Sequence, residues 1–342
     1  MRPVPEPISL RSRPYAADEL YPGYEQVAAR RRRERGAGLH IALFLLTFVC
    51  AAATNALFQG VDVLAAPAGI LAGVPYAAPL MAILLFHECG HYVLARLHRV
   101  DASLPYFIPA PYPFFIGTFG AFIRMRSMPR DRQALFDVGA AGPWAGMLVA
   151  LPVLAVGLAL SEVQPLADAE ASGGSLGESL LFSLLVKLVL GISNADVMIT
   201  LHPVALAGWV GLLVTTLNLM PVGQLDGGHV VYAAFGPRWH RWISLGVLTA
   251  LLVLGLSGEP TWLVWAALLA VLGTRHPRLL DDATPLDARR RLVAAATLVL
   301  FVVTFMPQPF AFSAPPAPIP RDPNAIPVSA PAPAPSQWPI AT

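Results

Sequence analysis

The sequence predicts an all-α, polytopic membrane protein of about six or seven transmembrane helices, with a small re-entrant β-hairpin or loop among them. Three observations predict it. Of 342 residues, 56% are hydrophobic and only 13% are charged, whereas soluble domains carry about 25% charged residues. The apolar residues fall in long blocks: Leu39–Phe58, Tyr76–Leu97, Ala134–Leu160, Val204–Met220, Ile243–Leu256, Trp262–Gly273 and Leu292–Met306. A spanning helix needs roughly 20 such residues, so Trp262–Gly273 is short, as is Leu181–Leu190, which carries Lys187. The basic residues also cluster at alternate block ends.

That charge bias orients the chain. Arg30–Arg33 and Arg35 precede the first block, and positive charge beside a first helix marks the cytosolic side. Seven alternating passes then put Arg96–Arg99, Arg124–Arg132, Arg238–Arg241 and Arg275–Arg291 inside, and the acidic loop with Glu162, Asp168, Glu170 and Glu178 outside. The expected address is a bacterial inner membrane, with a cytosolic N-terminus. The arginines are scattered between apolar helices, so the net charge of +2 gives no case for nucleic acid as a partner. The first block lies too far from the start for a cleaved signal peptide.

Residues 1–38 read as a basic, disordered cytosolic stretch, 39–306 as the membrane-embedded domain, and 307–342 as a Pro-rich disordered tail. Within the domain, Pro105–Met128 stands apart. Pro105, Pro109, Pro111 and Pro113 forbid a spanning helix, yet the segment is apolar. Non-helical backbone at membrane depth must pack in protein or line a wet cavity, which predicts a re-entrant loop or hairpin. The loop from Ser161 to Leu201 holds an interfacial helix near Leu180–Leu190. It is too short for an inserted domain, which takes at least roughly 50 residues.

The strongest chemical signal is His87-Glu88-Cys89-Gly90-His91. On a helix, His87 and His91 share a face and hold one Zn²⁺, while Glu88 sits beside the metal as a general base for hydrolysis. The motif interrupts an apolar block, where one ionisable group costs about 2.5–3.5 kcal/mol to insert. Core histidines bonded to carbonyls are the bland alternative. A catalytic zinc takes three protein ligands, and Asp226 is the best candidate for the third. It lies in Asn218-Leu219-Met220-Pro221-Val222-Gly223-Gln224-Leu225-Asp226-Gly227-Gly228-His229, where Pro221 and Gly223 should break a membrane helix. His229 is an alternative ligand or a packing residue. Asn218 either contacts substrate and oxyanion or caps the broken helix. His98, His240 and His276 sit among arginines and read as solvated. A metal transporter also builds sites on broken helices, but gives Glu88 no task. Gly255-Leu256-Ser257-Gly258 mimics a serine-protease motif and reads as a turn.

With both motifs in view, the chain resembles the site-2 protease family of intramembrane zinc metalloproteases, in a branch without a PDZ domain. The residues that carry the resemblance are His87, Glu88, His91, Asn218, Pro221, Asp226 and Gly227. Gly117-Thr118-Phe119-Gly120-Ala121 and the stretch Phe136–Gly146 add to it, and His276-Pro277 is similar to the plant and cyanobacterial chloroplast-type branch. The resemblance implies that His87, His91 and Asp226 bind Zn²⁺, that Glu88 is the general base and that Asn218 contacts substrate or oxyanion. It implies that Gly117, Thr118, Phe119 and Gly120 offer an edge to substrate. The implied reaction is peptide-bond hydrolysis in or near the transmembrane segments of membrane-protein substrates within the lipid bilayer. An upstream site-1-type protease that makes a first cut is the implied partner.

Overall fold

The computed structural model describes residues 36–165, 175–192, 197–311 and 339–341. The basic N-terminal stretch up to residue 35 and most of the Pro-rich tail lie outside the described residues.

The apolar blocks fold as helices: α1 (Gly38–Phe58), α2 (Val74–Leu97), α3 (Arg132–Ala159), α4 (Leu180–Leu190), α5 (Pro203–Asn218), α6 (Asp226–Phe235), α7 (Pro237–Leu256), α8 (Pro260–Leu272) and α9 (Ala288–Thr304). Local chemistry sets several starts. Asp131 caps α3 by accepting from the Ala134 N–H at 2.8 Å, and Ser179 and Asp287 cap α4 and α9 in the same way. Prolines open α2, α5, α7 and α8, where a missing N–H costs nothing.

Among the described residues, four helical stretches are long and apolar enough to cross a membrane: Gly38–Phe58, Pro67–Leu97, Arg132–Ala159 and Pro237–Leu256. The second includes a short 3-10 helix, Pro67–Gly73, ahead of α2. Helices α4, α5 and α8 are apolar but shorter. The expected six or seven passes are not confirmed by length, because the later blocks fold as the shorter helices α5, α8 and α9 of 16, 13 and 17 residues. Val204–Met220, for example, ends as helix at Asn218.

Helices α2, α3 and α5 form the core. Tyr76, Leu80, Ile83 and Leu84 meet Met147, Ala150, Leu154 and Leu158, and Ala205, Trp209, Leu212 and Leu213 close the other side. In lipid, helices associate through close packing, which favours small residues at crossings. Here a side-chain carbon added at Gly157 would lie 2.2 Å from the Ala205 nitrogen, and one at Gly208 would lie 2.8 Å from the Leu154 Cα.

The proline-rich segment is a β-hairpin, as expected. Strands β1 (Tyr106–Pro109) and β2 (Thr118–Phe122) pair antiparallel, Tyr106 opposite Phe122. Its backbone is held by protein. The Tyr76 hydroxyl donates to the Ile116 carbonyl at 2.9 Å, and His40 Nδ1 donates to the Pro105 carbonyl at 2.9 Å. Gly117 has φ of 73° and packs where a Cβ would sit 2.5 Å from the Ala51 Cα, so no other residue fits.

The break after Asn218 is supported in the same way. Leu219–Leu225 form a turn between α5 and α6, and α7 supplies its polar partners. His240 Nε2 donates to the Gly223 carbonyl at 2.9 Å, and the Gly223 N–H donates to Ser244 Oγ at 3.3 Å. These bonds satisfy backbone groups that lipid could not.

At the other end of α5, strand β5 (Val197–Thr200) pairs with β3 (Glu162–Pro165) and β7 (Pro339–Ala341), and β4 (Ser175–Leu176) pairs with β6 (Phe310–Ala311). A residue larger than glycine at the α3–α5 crossing should loosen the core. Gly208→Leu is expected to destabilise the protein by about 1–3 kcal/mol, read as a lowered unfolding temperature in detergent.

Candidate metal centre

The two sequence motifs, 135 residues apart, meet inside the helical core. His87 and His91 lie one turn apart on α2 and are buried, 4% and 7% exposed. Asp226 is the first residue of α6, where the helix N-terminus favours a negative charge. Close packing delivers it there. A Cβ at Gly227 would lie 1.9 Å from the Leu219 carbonyl, and one at Gly228 would lie 2.5 Å from the Gly223 carbonyl. The Asp-Gly-Gly sequence thus lets α6 start hard against its own preceding turn.

Three donor atoms form a near-equilateral triangle. His87 Nε2 and His91 Nε2 are 3.1 Å apart, and each is 3.2 Å from Asp226 Oδ2. Tetrahedral zinc with bonds of about 2.0–2.1 Å separates its ligands by about 3.3 Å. The protonation pattern agrees. His91 Nδ1 donates to the Val138 carbonyl at 2.7 Å, so in the neutral ring Nε2 carries a lone pair. That lone pair faces a carboxylate oxygen and a second imidazole nitrogen. A cation among the three atoms turns mutual repulsion into attraction. Two nitrogens and one oxygen, with a fourth position left to water or substrate, suit zinc. His87, His91 and Asp226 are grouped closely enough to hold a metal ion.

Helix α3 shapes the site through three missing side chains. A Cβ at Gly142 would fall 2.0 Å from His91 Nε2, one at Gly146 would fall 3.2 Å from the His87 ring, and one at Gly139 would fall 2.7 Å from the His229 Cβ. These glycines, at spacings of three and four, give α3 one bare face on which the imidazoles lie. Gly90 on α2 answers them, with a Cβ there falling 2.5 Å from the Ala141 carbonyl.

Glu88 lies in the same cavity, 4% exposed, with the Ile123 backbone beside its carboxylate. The cavity holds about 200 Å³ and is lined by His87, Glu88, His91, Asn218, Asp226 and His229, with Ala121, Phe122 and Ile123 from the hairpin. The Asn218 amide nitrogen lies 3.3 Å from His87 Nε2.

Among the proposed edge residues, Gly117 is packed on α1 and Thr118 is buried, its hydroxyl donating to the Ile108 carbonyl at 2.8 Å. Phe119 is exposed and sets its ring against Phe114 at 4.5 Å, and Gly120 has open space where a side chain would be. The hairpin residues at the cavity lie just beyond these four.

Three histidines read as solvated are structural. His98 donates to Asp137 Oδ2 at 2.8 Å, beside the bidentate Arg290–Asp137 pair. His240 holds the Gly223 turn. His276 accepts from His229 Nδ1 at 2.8 Å and packs its ring on Tyr232. Charge bias in the sequence registered the arginines around them but not the folded partners. Of these three, only His276-Pro277 carried a signal, through its resemblance to the chloroplast-type branch.

Known proteins resemble this chain. The profile of "Peptidase family M50" matches residues 75–256. The chain is 36% identical over 242 residues to "Probable zinc metalloprotease EGY1, chloroplastic" of Arabidopsis thaliana, covering 69% of this chain and 43% of that protein. It is 30% identical over 246 residues to "Probable zinc metalloprotease EGY2, chloroplastic" of the same plant, covering 70% and 43%. The chain thus spans less than half the length of these relatives. Their names overturn one expectation. These relatives are chloroplastic plant proteins, and they do not support a bacterial inner membrane as the address. The error has a physical root: arginine bias reports which way a chain threads a bilayer, and carries no information on which bilayer it is.

The bare face of α3 makes a direct prediction. Gly142→Ala places a methyl group on the His91 ring and should weaken zinc binding by about 10–100-fold, the range for disturbed outer-shell support. Titration against a competing chelator reads the change.

Proposed function

Because this chain belongs to peptidase family M50, we propose that it is an intramembrane zinc endopeptidase that cuts peptide bonds in or near the membrane-spanning segments of other proteins. One observation carries the reading: a His-His-carboxylate triangle of zinc dimensions with both imidazoles buried and Glu88 in the same cavity, set among helices apolar enough to cross a bilayer.

In this reading His87, His91 and Asp226 hold the metal. When bound, zinc supplies a Lewis acid that polarises a carbonyl and acidifies water. Glu88 takes the proton from the attacking water and hands it to the leaving amine, the usual work of a buried carboxylate beside such a centre. The Ile123 backbone lies beside that carboxylate. Asn218, at the end of α5, steadies the carbonyl oxygen of the substrate. Val138 fixes the His91 tautomer through Nδ1, leaving Nε2 for the metal.

A helical substrate has no free backbone groups, so the cut segment must unwind first. The end of strand β2 and the residue after it line the cavity through Ala121, Phe122 and Ile123, and in this reading the Gly117–Gly120 stretch continues that edge. An unwound peptide adding to it as a strand would keep its own groups paired. The cut would follow a first cleavage by an upstream site-1-type protease, making this the second step of regulated intramembrane proteolysis. With the four long stretches, the shorter helices α5 and α8 would make six passes and α9 a seventh, α5 spanning with the turn that follows it.

Two variants separate the roles. Glu88→Gln should keep one zinc per chain and lose cleavage of a transmembrane reporter by at least the 10²–10⁴-fold that general acid–base catalysis contributes. Asp226→Ala should lose the zinc itself, read by elemental analysis of the purified protein. Full cleavage by Glu88→Gln in detergent would overturn the proposal.

A further inference from the structure

His229 lies one turn beyond Asp226 on α6 and lines the same cavity, yet the zinc triangle closes without it. Its orientation is set by a chain of hydrogen bonds running away from the site. His276 Nδ1 lies 2.6 Å from the Pro277 carbonyl, which only accepts, so this nitrogen carries the proton. Burial lowers the His276 imidazole to about 4, so the ring is neutral and its Nε2 holds a lone pair. That lone pair lies 2.8 Å from His229 Nδ1, which must therefore be the N–H donor. The remaining nitrogen, His229 Nε2, is then a bare acceptor. Among the described residues no hydrogen bond reaches it.

The relay is held rigidly. The His276 ring lies 4.2 Å, centroid to centroid, from that of Tyr232, whose hydroxyl donates to Asp282 Oδ1 at 2.9 Å. Gly139 gives His229 its place on α3.

The other polar groups of the cavity have tasks already. His87, His91 and Asp226 face one another, Glu88 faces Ile123, and Asn218 faces His87. Gln224 also lines the cavity but is exposed. An unwound peptide brings N–H groups into this cavity, and each needs an acceptor, since an unpaired buried one weakens binding by about tenfold or more.

We propose that His229, locked as an acceptor by His276, receives a backbone N–H of the unwound substrate beside the scissile bond, with His276 as its positioning residue. The proposal rests on the protease reading above and deepens it by assigning the substrate contact.

The test uses the full chain in detergent, with zinc bound and Glu88→Gln to prevent turnover. The probe is a fluorescent transmembrane reporter peptide, together with a series in which single backbone N–H groups are replaced by ester oxygens. One ester position should weaken binding by about tenfold, the usual cost of an unpaired buried group. In His229→Leu the all-amide peptide should bind about tenfold more weakly, and that ester penalty should vanish. His229→Gln, which sets an amide oxygen near the Nε2 position, should restore most of the binding. All variants should keep one zinc. With Glu88 intact, His276→Ala should raise KM several-fold and leave kcat nearly unchanged.

Loss of zinc from His229→Gln would make His229 part of the metal centre and overturn the proposal. So would an ester series in which no position weakens binding by more than twofold, a measurement on unaltered His229 that does not depend on the variants folding. Neither result touches the protease reading, which stands or falls on cleavage by the Glu88→Gln protein.

Discussion

The fold is organised around a carboxylate held 3.2 Å from two imidazole nitrogens in a place where none of the three would sit alone. Each is costly in an apolar interior, and a metal ion among them makes the group stable. Bringing Asp226 to α2 requires a helix that stops at Asn218, a turn with its polar groups satisfied, and a second helix that begins at the carboxylate. Helix α7 satisfies the turn through His240 and Ser244. Helix α3 makes room through Gly139, Gly142 and Gly146. Much of what looks irregular in this chain serves that one meeting.

The hairpin answers to the same constraint from the other side. Its strands are short and its prolines exclude a helix, yet its backbone is tied to α1 and α2 by His40 and Tyr76. The end of β2 arrives at Glu88 through Ile123. One loop therefore borders the cavity and touches the carboxylate assigned to proton transfer.

Much of this was legible in the sequence, and for identifiable reasons. His87, Glu88 and His91 stood out because ionisable groups are conspicuous in an apolar run, and Pro221 with Gly223 announced a helix break just before Asp226. Four prolines in nine residues marked the hairpin. The number of passes was harder to read, since several apolar blocks fold as helices shorter than the roughly 20 residues a bilayer needs. The partners of His98, His240 and His276 were hidden because they lie 17 to 47 residues away and come together only on folding. The stretch Phe136–Gly146 was noticeable as a family likeness. Its reason, a helix face stripped of side chains where the imidazoles lie, needs three dimensions.

The hydrogen bond from His91 to Val138 has a consequence for biogenesis. The polypeptide emerges in order, so α2 enters the bilayer with its two imidazoles and Glu88 long before Asp226 has been synthesised. The next helix to arrive is α3, which brings the Val138 carbonyl and the glycine face together. The α2–α3 pair can thus shelter the polar groups of the first motif during insertion. It forms a half-built socket that Asp226 completes when α6 arrives.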